Sequence, residues 1–293
     1  MFRRNEISDS VDQAAGLRDL AQNATHPPSA MLTLAILSGK GGVGKSNIAV
    51  NLSVLLACRG LRVALIDLDM GLANADVLLG VRPRFNLSHL LSGAKEVEDL
   101  VVPGPGGLMF IGGASGTKSL ANLSEFERQN LLLQLRKLRG STDIAVFDCG
   151  AGISQNVLTF AAASDRVTVV TTTEPTARAD AYAAIKCLRG ERYLGRVGVF
   201  VNMADSRHEA KAAYTRIAAV AKKFLDFPVA DDGYMLHDRA VELAVQTRCP
   251  FVLRDPGSNA GVCVAALAND IGRSFTNAAR SGGLLRRLAG LFV

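Results

Sequence analysis

Nine consecutive residues, Ser38-Gly39-Lys40-Gly41-Gly42-Val43-Gly44-Lys45-Ser46, satisfy the spacing G-x-x-x-x-G-K-[ST]. The chemistry of that spacing is phosphate binding. Glycines at 39, 41, 42 and 44 let the backbone curl with its N–H groups pointing inward, around Val43. Those donors and the start of the following helix, through Asn47, then converge on an anion. Lys45 adds a positive charge for the β- and γ-phosphates, and the Ser46 hydroxyl suits Mg²⁺, a hard ion that prefers oxygen ligands. An apolar run, Leu32 to Leu37, precedes the loop, and a helix-period segment, Lys45 to Cys58, follows it. The motif therefore sits in the strand–loop–helix context it needs. The expected ligands are ATP and Mg²⁺.

Carboxylates recur at the ends of two further apolar runs. Val63 to Ile66 leads into Asp67-Leu68-Asp69-Met70-Gly71-Leu72-Ala73-Asn74, and Ile144 to Phe147 leads into Asp148-Cys149-Gly150-Ala151-Gly152. Open α/β sheets bind ligands beyond the carboxyl ends of their strands, which is where these acids fall. Asp148 is placed to hold a water of the Mg²⁺, with Gly150 and Gly152 freeing the segment to move with a terminal phosphate. Asp67 also fits an ordinary turn-forming strand end.

The elements that must position these groups follow from the apolar pattern. Leu32 to Leu37, Val63 to Ile66, Leu108 to Ile111, Ile144 to Phe147, Val167 to Thr171 and Val197 to Val201 are near-continuous apolar runs of buried-strand type. Helical segments such as Lys45 to Cys58, Ser124 to Arg139 and Thr176 to Leu188 fall between most of them. That order predicts an α/β fold: a doubly wound, mostly parallel sheet with helices on both faces. The 293 residues, 48% hydrophobic, suit one large core with tails. Residues 1–30 are expected to be a flexible tail closed by His26-Pro27-Pro28-Ser29, residues 31–280 the nucleotide-binding domain, and residues 282–293 a short helix.

Net charge is +6, and much of the excess lies in the last 21 residues, which hold Arg273, Arg280, Arg286 and Arg287 and no acid. In residues 282–293, Leu284, Leu285, Leu288, Leu291 and Phe292 fall on one helical arc, with Arg286 opposite and Arg287 at its flank. This pattern predicts a basic amphipathic helix for the inner membrane surface, binding firmly only as a pair; a core-packing last helix is the alternative. The five cysteines form no C-x-x-C pair, consistent with thiols in a reducing compartment. No signal-peptide-like segment or membrane-length apolar run is present, so the expected location is cytoplasmic, reversibly peripheral on the membrane.

Lys40, a second lysine inside the loop, makes the sequence resemble the MinD/ParA ATPases, whose loop is called a deviant Walker A. In that family the equivalent lysine reaches a partner's nucleotide, so the resemblance implies an ATP-dependent homodimer. The other reading of Lys40 is a solvated loop cation. The resemblance makes Asp69 the residue that positions the attacking water, puts Asp67 among the metal's surroundings, and has Asn74 contact the first switch. It also implies that Asn202, and more weakly Pro228, clasp the adenine; Asn202 equally fits a strand-end cap. Catalysis is thereby expected from Lys40, Lys45, Asp69 and Asp148, with Ser46, Asp67 and Asp148 around the metal.

The resemblance covers residues 31 to about 270. The segments DLDMGLANADVLLG (67–80), DCGAGIS (148–154) and TEPTARADAYAAIK (173–186) are similar to the FlhG/FleN group of flagellar number and placement regulators. Asp12-Gln13-Ala14-Ala15-Gly16-Leu17-Arg18 is similar to that group's D-Q-A-x-x-L-R motif, which stimulates FlhF, a GTPase of the signal-recognition-particle type. Asp12, Gln13, Leu17 and Arg18 are the candidate contacts, although Ser10 to Gln13 also fits a helix cap. Flagellar C-ring components or transcription regulators are further implied partners. Division-site MinD, a DNA-partitioning ParA and an iron–sulfur carrier are the competing readings. Direct nucleic-acid binding is not expected, because the basic tail is interleaved with an apolar stripe that DNA does not require.

Overall fold

The computed structural model describes residues 31–69, 73–114 and 123–289, with side chains described as far as residue 275. Eight strands form one sheet: β1 (Leu32–Ser38), β2 (Val63–Leu68), β3 (Val101–Pro103), β4 (Met109–Ile111), β5 (Ile144–Ala151), β6 (Arg166–Thr171), β7 (Arg196–Ala204) and β8 (Ala230–Leu236). Their order across the sheet is β3-β4-β2-β5-β1-β6-β7-β8, with every pair parallel except β3 and β4. The doubly wound α/β expectation is met.

Alternation along the strands divides the core into two. Ala35 and Leu37 of β1 face one hydrophobic cluster while Leu34 and Ile36 face the other, and in β5 Ala145 and Phe147 oppose Ile144 and Val146. Each cluster is covered by its own helices. One face carries α4 (Glu125–Leu135), α5 (Gln155–Ala162), α6 (Pro175–Gly190) and α7 (Arg207–Leu225); the other carries α1 (Lys45–Cys58) and α10 (Asn259–Ala289). Between them in sequence lie the short α2 (Ala75–Leu79), α3 (Leu87–Leu91), α8 (Arg239–Thr247) and α9 (Phe251–Arg254). Burial on both faces explains why the central strands read as unbroken apolar runs.

All six strands and three helices read from the sequence are present, Lys45 to Cys58 with both ends unchanged and the others with ends moved by at most four residues. Ser124 starts α4 through a capping box with Glu127, and the chain beyond Leu135 tightens into a 3₁₀ turn, Arg136–Gly140. Two strands escaped the sequence reading. β3 is a three-residue edge strand ending in proline, and β8, ADDGYML, is a half-exposed edge strand with two aspartates and a glycine. Both lack the β-branched, apolar composition that marks a central strand. The helix boundary expected at Gly282-Gly283 is also absent: the α10 backbone runs through both glycines to Ala289. The motif at Asp12, Gln13, Leu17 and Arg18, residues Leu291 and Phe292, and the side chains of Leu284, Leu285, Arg286, Arg287 and Leu288 lie outside what is described.

The body of α10 and the sheet are tied by a largely buried ionic cluster at the amino ends of the strands. Arg166 of β6 places Nη2 2.6 Å from Asp232 Oδ1 and 2.7 Å from Asp270 Oδ2, and Thr168 donates its hydroxyl to Asp232 Oδ2 at 2.7 Å. Arg166 and Asp232 are 3% and 0% exposed, so neither charge has water as a substitute partner. Removing Arg166 leaves the buried Asp232 with only the more distant, partly exposed Arg196, 3.4 Å away, as a counter-charge. Arg166→Ala is therefore expected to destabilise the fold by about 3–5 kcal/mol, read as a lowered urea midpoint at neutral pH. Arg62→Ala, which breaks the half-exposed pair with Asp143, should move the midpoint far less.

Candidate nucleotide site

The sheet order reverses at β1: its crossover α1 leads to β2 on one side, while β6 lies on the other. A crevice opens beyond the carboxyl end of such a strand. The loop from Gly39 to Gly44 lies there, and α1 begins at Lys45 with its first-turn N–H groups unoccupied by any capping side chain. Ser38 shapes the loop by donating its hydroxyl to the Lys40 carbonyl at 2.9 Å. Gly44 has φ 83°, and a Cβ there would lie 2.2 Å from Asn202 Nδ2, so both conformation and space require glycine.

Lys45 is buried, with Nζ 2.7 Å from Asp148 Oδ1 and 3.2 Å from the Ser46 hydroxyl. Burial opposes its charge, but the charge and hydrogen bond of Asp148 outweigh that and raise the lysine above its usual value. Asp148 is wholly buried, and its second oxygen, Oδ2, has no hydrogen-bond partner. A buried acceptor left open beside a serine hydroxyl fits a hydrated Mg²⁺, which takes oxygen ligands and keeps waters. Ser46 would hold the ion directly and Asp148 through a water; bound there, Mg²⁺ supplies charge neutralisation on the phosphates.

The two switch segments meet at this end. Asp67 and Asp148 are register partners on β2 and β5, and a Cβ at Gly150 would lie 3.7 Å from the Asp69 carboxylate. The Gly152 N–H donates to the Ser38 carbonyl at 2.8 Å, joining the second segment to the phosphate loop. Asp69 is half-exposed and adds to the field that keeps Lys45 charged. Asp67, the neighbour of Asp148 in the sheet, is engaged with backbone donors. Its carboxylate is 1% exposed and both oxygens accept backbone N–H groups, Oδ1 from Asp69 and Oδ2 from Asn74 and Ala75. Burial and then the nearby Asp148 push its pKa up to about 7.

Lys40 places Nζ 2.9 Å from Glu174 Oε2 and 3.4 Å from Thr176 Oγ1, at the start of α6. The hydrogen bond and charge of Glu174 raise its pKa. Sequence reasoning gave Glu174 no role; its one legible signal was the Glu-Pro that opens a helix. Asn202 donates Nδ2 to the Val43 carbonyl at 2.7 Å and accepts from the Met203 N–H, so it clamps the phosphate loop to the end of β7. Asn47 is half-buried in the first turn of α1, and its carbonyl accepts from Asn51.

Pro228 requires correction. β7 and β8 run parallel with Gly198 beside Ala230 and Ala204 beside Leu236, so Pro228, two residues before Ala230, lies at the amino end of β8. Asn202 is at the opposite end, roughly 20 Å away at about 3.3 Å per residue. The loop that does share the end with Asn202 follows β8: the His237 N–H donates to the Ala204 carbonyl at 3.1 Å. The proline signal misled because β8 itself was not legible. Cys149 beside Asp148 is fully buried and its thiol is pushed up to about 12, mainly by burial, which is unlike a ready metal-cluster ligand.

This loop, lysine and carboxylate arrangement on a doubly wound sheet defines a P-loop nucleotide-binding protein. Residues 34–248 match the CobQ/CobB/MinD/ParA nucleotide binding domain, and the chain belongs to that family. Among its relatives, the antiactivator FleN of Pseudomonas aeruginosa is 37% identical over 238 residues, covering 81% of this chain and 85% of FleN. The flagellum site-determining protein YlxH of Helicobacter pylori is 39% identical over 189 residues, covering 64% of each chain. Among solved structures, the cell division ATPase MinD of Pyrococcus furiosus superposes with a TM-score of 0.70 at 23% identity, covering 83% of this chain and 99% of that one. The MinD of Pyrococcus horikoshii complexed with Mg-ADP gives 0.69 at 22% identity, covering 83% and 96%.

Replacing Lys45 by Ala removes a charge-assisted contact worth about 1.5–3 kcal/mol, so affinity for a fluorescent ATP analogue should fall about 10- to 100-fold in a titration.

Proposed function

We propose that this chain is a regulatory ATPase switch in which ATP drives face-to-face dimerisation and hydrolysis resets the monomer, acting on flagellar number or placement. The observation that carries the proposal is Lys40. It sits inside the phosphate loop, yet its ammonium is held by Glu174 and Thr176 in an exposed, weak pair that it can exchange for a nucleotide in another subunit. The site's own groups divide the work. Backbone N–H groups of the loop and Lys45 bind the β- and γ-phosphates, and Lys45 exchanges part of its interaction with Asp148 for the phosphates. Asp69 orients the attacking water, and Gly150 and Gly152 let the second switch follow the terminal phosphate. Turnover is slow, as suits a switch that waits for a partner.

The flagellar assignment draws on the likeness to FleN and YlxH and on the D-Q-A-x-x-L-R-like motif at Asp12 to Arg18, through which an FlhF-type GTPase is the proposed partner. The antiactivator description of FleN favours a transcription regulator as a further partner. Membrane attachment through the apolar arc of residues 284–292 completes the cycle, two copies in a dimer holding far better than one.

With ATP and Mg²⁺, the wild-type chain should sediment as a dimer and Lys40→Ala as a monomer; a full dimer of the variant would remove the trans-lysine role. ATP-dependent flotation with anionic liposomes should be lost when residues 282–293 are deleted. A peptide of residues 1–25 should accelerate GTP hydrolysis by purified FlhF, and no stimulation would leave only the general MinD-like switch.

A further inference from the structure

We infer that Asp67 is a positioning residue for the hydrolytic step: it closes the first switch into a ring and so holds Asp69 over the reacting end of the site. The inference rests on the reading of Asp69 as the residue that orients the attacking water.

Three hydrogen bonds define the ring. Asp67 Oδ1 accepts the Asp69 N–H at 3.0 Å, and Oδ2 accepts the N–H groups of Asn74 and Ala75 at 3.1 Å each. The last two are the N-cap residue and first residue of α2, whose N-cap makes no side-chain bond of its own. Asp67 therefore caps α2 from the preceding strand, and the same carboxylate holds the backbone of Asp69 itself. An ionised carboxylate suits the three donors, because it accepts on both oxygens and carries no competing proton. With both oxygens so occupied, Asp67 has little left for a metal ion, whereas Asp148 keeps Oδ2 open and buried.

Gly113, in the loop after β4, supports the ring from outside. A Cβ at Gly113 would lie 2.8 Å from the Asp67 carbonyl oxygen, 2.8 Å from the Ala73 Cβ and 3.4 Å from the Asp67 carboxyl carbon. The backbone there packs against both ends of the ring, and any side chain would displace it.

The test is ATP turnover by the purified full chain as Mg²⁺ and ATP are varied. Asp67→Asn replaces one acceptor by a donor facing a backbone N–H. It should lower kcat about tenfold or more, while ATP affinity and the half-saturating Mg²⁺ stay within about twofold. Gly113→Ala should produce the same split from the other side. Unchanged kcat in Asp67→Asn, or activity restored by raising Mg²⁺, overturns the inference, the second outcome making Asp67 a metal ligand. Asp69→Ala serves as the reference: if it keeps turnover, the assignment of Asp69 fails, and that failure is visible separately. Should the variants not fold, amide exchange in the wild-type protein decides. The Asn74 and Ala75 amides are expected to be protected, and exchange at unstructured-peptide rates would sink the proposal.

Discussion

The contact between Lys45 and Asp148, 2.7 Å long and almost wholly out of water, is the constraint around which the nucleotide site is arranged. An ammonium and a carboxylate are tolerated there only because each answers the other's desolvation. The pair is also unbalanced. Asp67 and Asp69 lie on the next strand and its loop, so three carboxylates surround one lysine. Phosphates would draw the lysine away, and a divalent cation would then offset the excess negative charge. The same groups thus serve two electrostatic states, which is the property a nucleotide switch needs.

Chain topology makes that pair possible. β1 and β5 are adjacent and parallel, so the loop after β1 and the acid at the end of β5 come to the same sheet end although 103 positions separate Lys45 from Asp148. Asn202, from β7, reaches the same place to hold the Val43 carbonyl. The phosphate loop is consequently pinned from one side by β7 and from the other by the Gly152–Ser38 hydrogen bond.

The opposite end of the sheet has a different task. There the buried Arg166 and Asp232, joined by the partly exposed Asp270, tie α10 to the sheet, roughly a strand length of 20 Å from the crevice. α10 starts near the site, where the Ala260 N–H meets Asp238, and its described backbone runs without a break through Gly282-Gly283 to Ala289.

What the sequence by itself determined was everything local: the glycine loop, Lys45 and Ser46, the central strands as unbroken apolar runs, α1 from Lys45 to Cys58, and the carboxylates at the strand ends. These depend on neighbouring residues alone, and their signals are strong because buried parallel strands admit little else. Only the tertiary structure decided the rest. It gave Asp67 the backbone N–H groups of Asn74 and Ala75, moved Pro228 to the far end of the sheet, and gave Lys40 a partner in Glu174. The physical reason is common to all three. Each outcome depends on which strand lies beside which, and hydrogen-bond partners many positions away leave no periodicity in the chain. Edge strands such as β8 are the hardest case, because half of their surroundings is solvent and their composition need not declare them.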